Sequence, residues 1–229
     1  SLRPDLIVTQ ALCDVCAVAE SEVQAAACSL PSRPAVINLE PSCLADVFDC
    51  IGQVGMAAGC PSRAEHFVNQ LRDRVQRVSK RSESIPERPG VLRLEWLDPP
   101  FCAGHWSPEL VSIAGGKEVI GVAGERSVTT KWQQIVAADP EVMMIACCGF
   151  DIQRTIQDLP TLCHYPGWDS LRCVKSNRVH VVDGSAYFSR PGPRLVDSLE
   201  ILANTLHRAS HPLTTELPGA VCLFPSISE

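Results

Sequence analysis

Two hydrophobic rhythms alternate along this chain. Short apolar runs occur at residues 5–10 (DLIVTQ), 35–39 (AVINL), 91–96 (VLRLEW), 141–146 (EVMMIA) and 178–182 (RVHVV). Their length and β-branched content predict buried strands. Helical spacing fills the segments between them, at residues 20–30, 44–58, 61–84, 109–114, 133–138, 152–159 and 193–206. In 61–84, Phe67, Leu71, Val75 and Val78 recur at steps of four and three, and Ser62 with Glu65 gives a capping-box pattern. The opposite side carries Arg72, Asp73, Arg74, Arg77, Lys80 and Arg81, which reads as a solvated face. Gly59, Gly115-Gly116 and Asp139-Pro140 supply helix stops, and Ser107-Pro108 a helix start. In the last helix, Leu195, Leu199, Leu202 and Leu206 share one side, and a polar, proline-marked tail follows from residue 207.

The β-α-β-α order at the start calls for parallel strands with helical crossovers. Four elements are few for a complete lobe, and the chain opens at the edge of a strand, which predicts a first lobe lacking an N-terminal part. The boundaries expected are a first lobe over 1–60, a long helix over 61–84 and a second lobe over 85–229.

Charge and cysteine content narrow the partners. The net charge is −6 with no long basic block, which disfavours nucleic acid. No apolar run reaches the roughly 18–20 residues of a membrane helix. Twelve cysteines are many for 229 residues. Cys28, Cys50, Cys147 and Cys173 lie among apolar neighbours, where a thiol behaves as a small hydrophobe. With no signal peptide at Ser1, a reducing, cytoplasmic setting is favoured, and a periplasmic or cell-surface one if an upstream signal has been removed.

The chemistry gathers at strand ends. The run 91–106, VLRLEWLDPPFCAGHW, is a strand feeding a loop of proline and aromatics. The loops CCGF (147–150) and DGSAYFSRPGPR (183–194) follow two more strands. Ligands of open α/β sheets bind at such carboxyl ends. Aromatics there suit a large, flat, partly apolar ligand, and Arg190 suits a carboxylate, amide or phosphate. The pocket candidates are Gln10, Glu95, Trp96, Phe101, Trp106, Phe150, Tyr187, Phe188 and Arg190. Cys13 and Cys16 form a CxxC, readable as packed thiols, half of a metal site or a redox pair. His105 and His164 are metal candidates or packing residues. Glu95 and Asp98 lie close enough in sequence to suggest acid-base work, yet no nucleophile with an adjacent base accompanies them.

The segments DLIVTQALCDVCAV, LEWLDPPFCAGHW, CCGFDIQRT and DGSAYFSRPGPRLVD, collinear within residues 3–212, resemble the signatures of cobalamin-binding solute receptors, periplasmic-type binding proteins of ABC importers. The resemblance implies an α/β fold of two parallel-sheet lobes bridged by a single long helix, with 61–84 as the bridge. It implies cobalamin or a related corrinoid held non-catalytically in the cleft between lobes. Phe101, Tyr187 and Phe188 match aromatic pocket positions and Gln10 a first-lobe pocket position. The alternative from the residues themselves is a receptor-fold protein inside the cell, repurposed for metal or haem through its cysteines or for protein interaction.

Two departures from that family follow. Its further strand-helix-strand portion at the start is lacking, so exposed sheet edges predict homodimerisation. Importer-coupled receptors carry an exposed glutamate on each lobe for arginines of the permease. The second of these positions falls on Gln133, whose neutral amide cannot make a charge-assisted pair. Docking to an ABC permease of that kind is therefore not expected.

Overall fold

A computed structural model describes residues 3–10, 19–213, 217 and 221–223. The chain divides into two units, Ser1–Leu71 and Arg72–Glu229.

In the first unit, β1 (Leu6–Thr9) and β2 (Ala35–Asn38) pair in parallel, with Leu6 opposite Ala35 and Thr9 opposite Asn38. The crossover between them contains α1 (Glu20–Ser29). Then α2 (Leu44–Ala57) starts at a capping box, in which the Asp46 carboxylate accepts from the Ser42 and Cys43 amides at 2.8 and 3.1 Å. Those donors hold Asp46 below the usual carboxylate range. The helix α3 (Pro61–Glu83) begins one residue before Ser62, so Ser62 sits inside the first turn rather than at the cap. A Cβ on Gly55 would collide with Ala64, so this glycine allows α2 and α3 to approach closely. The buried positions of α3 in this unit are Ala64, Val68 and Leu71, while Phe67 is 40% exposed. Of the predicted stripe, Leu71 and Val78 are buried and Val75 is half-buried, and Phe67 lies outside it.

The division into units falls within α3, between Leu71 and Arg72. In the second unit, α3 contributes Val78 and Ser82 to the interior. Arg74, grouped in the sequence with the solvated charges, instead donates to Asp197 at 2.6 Å and to Glu200 at 2.7 and 3.0 Å. Both acceptors lie on α9 (Leu195–Leu206).

The main sheet is built on β3 (Gly90–Leu97), β7 (Val142–Ile145) and β8 (Val179–Val182), all parallel. Four further strands extend it: β4 (Pro100–Cys102), β5 (Lys117–Glu118), β6 (Val128–Thr129) and β9 (Val221–Leu223). The order is β6-β4-β3-β7-β8-β9, with β5 also pairing β3. Sequence reading treats 97–106 as loop and the tail as polar coil. In the structure β4 turns back antiparallel on β3, and β9 adds antiparallel to β8. Strands of two or three residues have too few positions for a period to be visible.

One face of the sheet packs Leu92, Leu94, Met143, Ile145, Val179 and Val181 against a layer that includes Trp132, Ile135, Leu162 and Trp168. This layer comes from α5 (Trp132–Ala138), α6 (Ile152–Asp158), α7 (Pro160–Cys163), a 3-10 turn (Trp168–Ser170) and α8 (Arg172–Lys175). Strand alternation sends Arg93, Met144 and His180 to the other face, in register across three strands. There α4 (Ser107–Ile113) packs against β3 and α9. Pro108 occupies the first turn of α4 as expected, but Trp106 rather than Ser107 is its N-cap. Cys28, Cys43, Cys50, Cys60, Cys102, Cys147, Cys148, Cys163 and Cys173 are free thiols; Cys102, Cys147 and Cys173 are buried, Cys50 is intermediate, and Cys28 is exposed against expectation.

Candidate functional site

Because β3, β7 and β8 run parallel, their carboxyl ends lie on one side of the second unit. Backbone bonds draw the three tips together. The Cys148 amide donates to the Glu95 carbonyl at 3.1 Å, and the Ser185 amide to the Phe150 carbonyl at 3.0 Å. Gly184 makes the second contact feasible, since a Cβ there would fall inside the Cys147 carbonyl. Gly184→Ala should therefore cost about 1–3 kcal/mol, the range for forced overpacking. A lower urea midpoint with an unchanged slope is the expected readout.

An aromatic ledge runs along these tips. Trp96 and Phe101 are paired across the β3-β4 hairpin, which puts their side chains on the same face. The ring of Phe150 lies 5.0 Å from that of Trp96, tilted by 53°. The Arg154 guanidinium sits 4.5 Å from the Phe150 centroid. Trp96 is 38% exposed although it is a large apolar side chain. Phe101 and Phe150 are half-buried, and Phe150 also packs against the core, so Trp96 is the exposed member of the group.

The remaining candidates separate into rim and frame. Tyr187, within the π-helical turn Gly184–Phe188, is half-buried, and Arg190, two residues after that turn, is exposed. Glu95 is half-buried. Trp106 and Phe188 are only 5% and 1% exposed. The Trp106 indole donates to the Phe188 carbonyl at 3.2 Å, and the Arg93 guanidinium covers the Phe188 ring at 4.1 Å. Both rings are thus buried inside the second unit rather than exposed at the strand tips. Gln10 follows β1 in the first unit. Asp98 accepts from the Tyr165 hydroxyl at 2.7 Å, on the wall of an open groove of about 510 Å³ that His164 also lines.

His105 adopts φ 50° and stacks on Trp106 at 5.5 Å. Cys13 and Cys16 lie outside the described residues. Among the described residues no group of three or more His, Cys, Asp or Glu is placed to hold a metal ion. Gln133 is exposed on α5 beside the buried Trp132.

Sequence reasoning missed two buried charges. Arg93 is 0% exposed on the central strand, and Nε, Nη1 and Nη2 all lack a hydrogen-bond partner among the described residues. Desolvation pulls its pKa down, and the charges of Glu95 and Glu118 oppose that pull. Glu118 is half-buried as a residue, yet its Oε2 is closed to solvent and unpartnered among the described residues. Its Oε1 accepts from the amides of Val119, Ile120 and Gly121 at 3.1, 3.3 and 3.4 Å. Burial raises its pKa to about 7, against those amides and Arg93. For Arg93 the signal was present in VLRLEWL, where it and Glu95 interrupt a run that a doubly covered parallel strand keeps apolar.

Parallel strands covered by helices on both faces define an α/β unit. The sequence profile of the family described as periplasmic binding proteins matches residues 1–186, and the chain belongs to that family. No curated protein matches the chain. Solved structures share the fold. A periplasmic binding protein from Veillonella parvula superposes with a TM-score of 0.73 at 20% identity, over 90% of this chain and 71% of that one. A periplasmic heme binding protein from Pseudomonas aeruginosa gives 0.74 at 21%, over 94% and 76%. The periplasmic vitamin B12 binding protein BtuF of Vibrio cholerae gives 0.68 at 16%, over 93% and 77%. The fold is therefore that of the two-lobed periplasmic binding proteins. The expectation of a reducing, cytoplasmic compartment finds no support in this family. No helix among the described residues is long and apolar enough to cross a membrane.

Proposed function

We propose that this protein captures a flat tetrapyrrole-type ligand, a corrinoid such as cobalamin in the first place, and holds it without chemical change for a transport system outside the cytoplasm. The observation that carries the reading is the ledge of Trp96, Phe101 and Phe150, backed by Arg154. Such rings gain large apolar contact with a macrocycle at small entropic cost, because each has only two side-chain torsions to fix. Tyr187, Glu95 and Arg190 supply polar contacts for amides, carboxylates or phosphate at the periphery. Gln10, at the carboxyl end of β1, is the corresponding candidate in the first unit. Family membership and the binding named for the two relatives from Pseudomonas and Vibrio support the same ligand class.

Haem is the second reading. The relative from Pseudomonas is a heme binding protein, and a planar ring would sit on the same ledge. The two are separated by titrating cyanocobalamin and haemin into the protein and following heat and visible absorbance. Saturable binding of cyanocobalamin in preference to haemin supports the corrinoid reading, and the reverse preference supports haem. Binding of neither at high micromolar concentration removes the proposal. For the permease partner, the neutral exposed Gln133 favours docking that does not depend on a charge pair at that position.

A further inference from the structure

We infer that Arg93 is a positioning residue that holds the loop bearing Tyr187 and Arg190 from inside the second unit, through the ring of Phe188. The inference rests on the reading above that this edge receives ligand. Arg93 stands on the central strand between Leu92 and Leu94, with its guanidinium 4.1 Å from the Phe188 centroid. A buried cation with no hydrogen-bond partner is costly, and an apolar side chain of similar volume is usually tolerated as well or better. What Arg93 contributes is therefore directional: the attraction of a desolvated cation to one aromatic face. The charges acting on it come from three elements. Glu95 lies two residues along the same strand, Glu118 is on β5, and Cys147 and Cys148 follow β7.

Phe188 closes the turn Gly184–Phe188. The backbone of this segment is tied to its surroundings by Ser185 N to Phe150 O, Trp106 Nε1 to Phe188 O and Arg194 Nη1 to Ala186 O, and the Ala186 and Tyr187 amides donate to Asp183. None of these bonds fixes the Phe188 ring. Arg93 does, and Tyr187 and Arg190 lie one residue before it and two after. With the ring held, the two rim side chains project from a fixed backbone, which lowers the ordering cost of binding.

The test uses hydrogen exchange on the ligand-free protein together with ligand titration, in Arg93→Met, Arg93→Lys and Phe188→Leu. In Arg93→Met the amides of Ser185, Tyr187 and Ser189 should exchange at least ~10-fold faster, while those of Met143–Ile145 keep parental rates. The dissociation constant for whichever of cyanocobalamin and haemin the parent binds should rise about 10-fold, with partial recovery in Arg93→Lys, whose ammonium can still face the ring. Parental exchange in the loop of Arg93→Met would overturn the inference. If that variant does not fold, Phe188→Leu carries the test, because it removes the ring and keeps the charge. Faster loop exchange then supports the anchor and parental exchange refutes it. If the parent binds neither ligand, the functional reading falls, while the exchange data still decide the role of Arg93.

Discussion

Glu118→Gln should tilt the dependence of stability on pH by about 3 kcal/mol relative to the parent, and replacement of His180 by Leu should tilt it as far the other way. Burial raises the Glu118 pKa from 4.5 to about 7. Between those values the unfolded chain has lost the proton and the folded chain keeps it. Fewer protons are bound in the unfolded state, so stability falls as pH rises from about 4.5 to 7 and is level above. His180 behaves oppositely. Its ring is 6% exposed, with neither nitrogen partnered among the described residues, and burial followed by the Arg178 charge lowers its pKa from 6.5 to about 4. In that interval the unfolded chain is protonated and the folded chain is not, so stability is lost as pH falls from 6.5 to 4. Each displacement amounts to about 3 kcal/mol, and the two slopes largely cancel in the parent. Removing one exposes the other.

The measurement is urea unfolding at half-unit pH steps from 4 to 8, with the parental curve subtracted. The Glu118→Gln difference should rise by about 3 kcal/mol between pH 4.5 and 7, and the His180→Leu difference should fall by a similar amount between 4 and 6.5. A Glu118→Gln curve parallel to the parent would mean that the Glu118 carboxylate titrates in the folded protein as it does in the unfolded chain.

What the sequence made legible followed from length and repetition. The strands at 91–96, 141–146 and 178–182 each repeat an apolar pattern over enough residues to be read, and all three appear in the sheet within a residue or two of the expected bounds. The long helix at 61–84 was legible for the same reason. The short additions β4, β5, β6 and β9 were not, because two or three residues cannot establish a period and their place is set by the partner strand. Among candidate residues, position in the sequence located the strand tips but not the direction of each ring. Trp96 and Trp106 stand in the same short run. One is left exposed where the β3-β4 hairpin turns; the other is drawn inward by an indole bond to Phe188, 82 residues away in sequence. Such a bond depends on the β8 loop arriving alongside, which no local pattern encodes. The buried Arg93 was visible as an anomaly in its strand, but the ring that receives it was not.

Trp96→Ala should weaken binding of the tetrapyrrole ligand by about 30-fold or more, equivalent to about 2 kcal/mol, the lower bound for an aromatic anchor at the centre of an interface. Trp96 occupies the middle of the ledge, between its strand neighbour Phe101 and the Phe150 ring 5.0 Å away. Its removal takes away both its own contact area and the wall against which Phe150 is tilted. The cost in folding should be small by comparison, because 38% of the residue is already exposed and its loss opens a surface notch rather than a closed cavity. Affinity and stability therefore separate, and that separation is the diagnostic. Trp96→Phe keeps an aromatic face at this place and should restore most of the affinity. Titration of the three proteins with cyanocobalamin and haemin, alongside their urea midpoints, decides the matter. Parental affinity in a folded Trp96→Ala protein would remove the ledge from the binding surface, and equal loss of affinity in Trp96→Phe would show that the indole N–H rather than the ring face carries the contact.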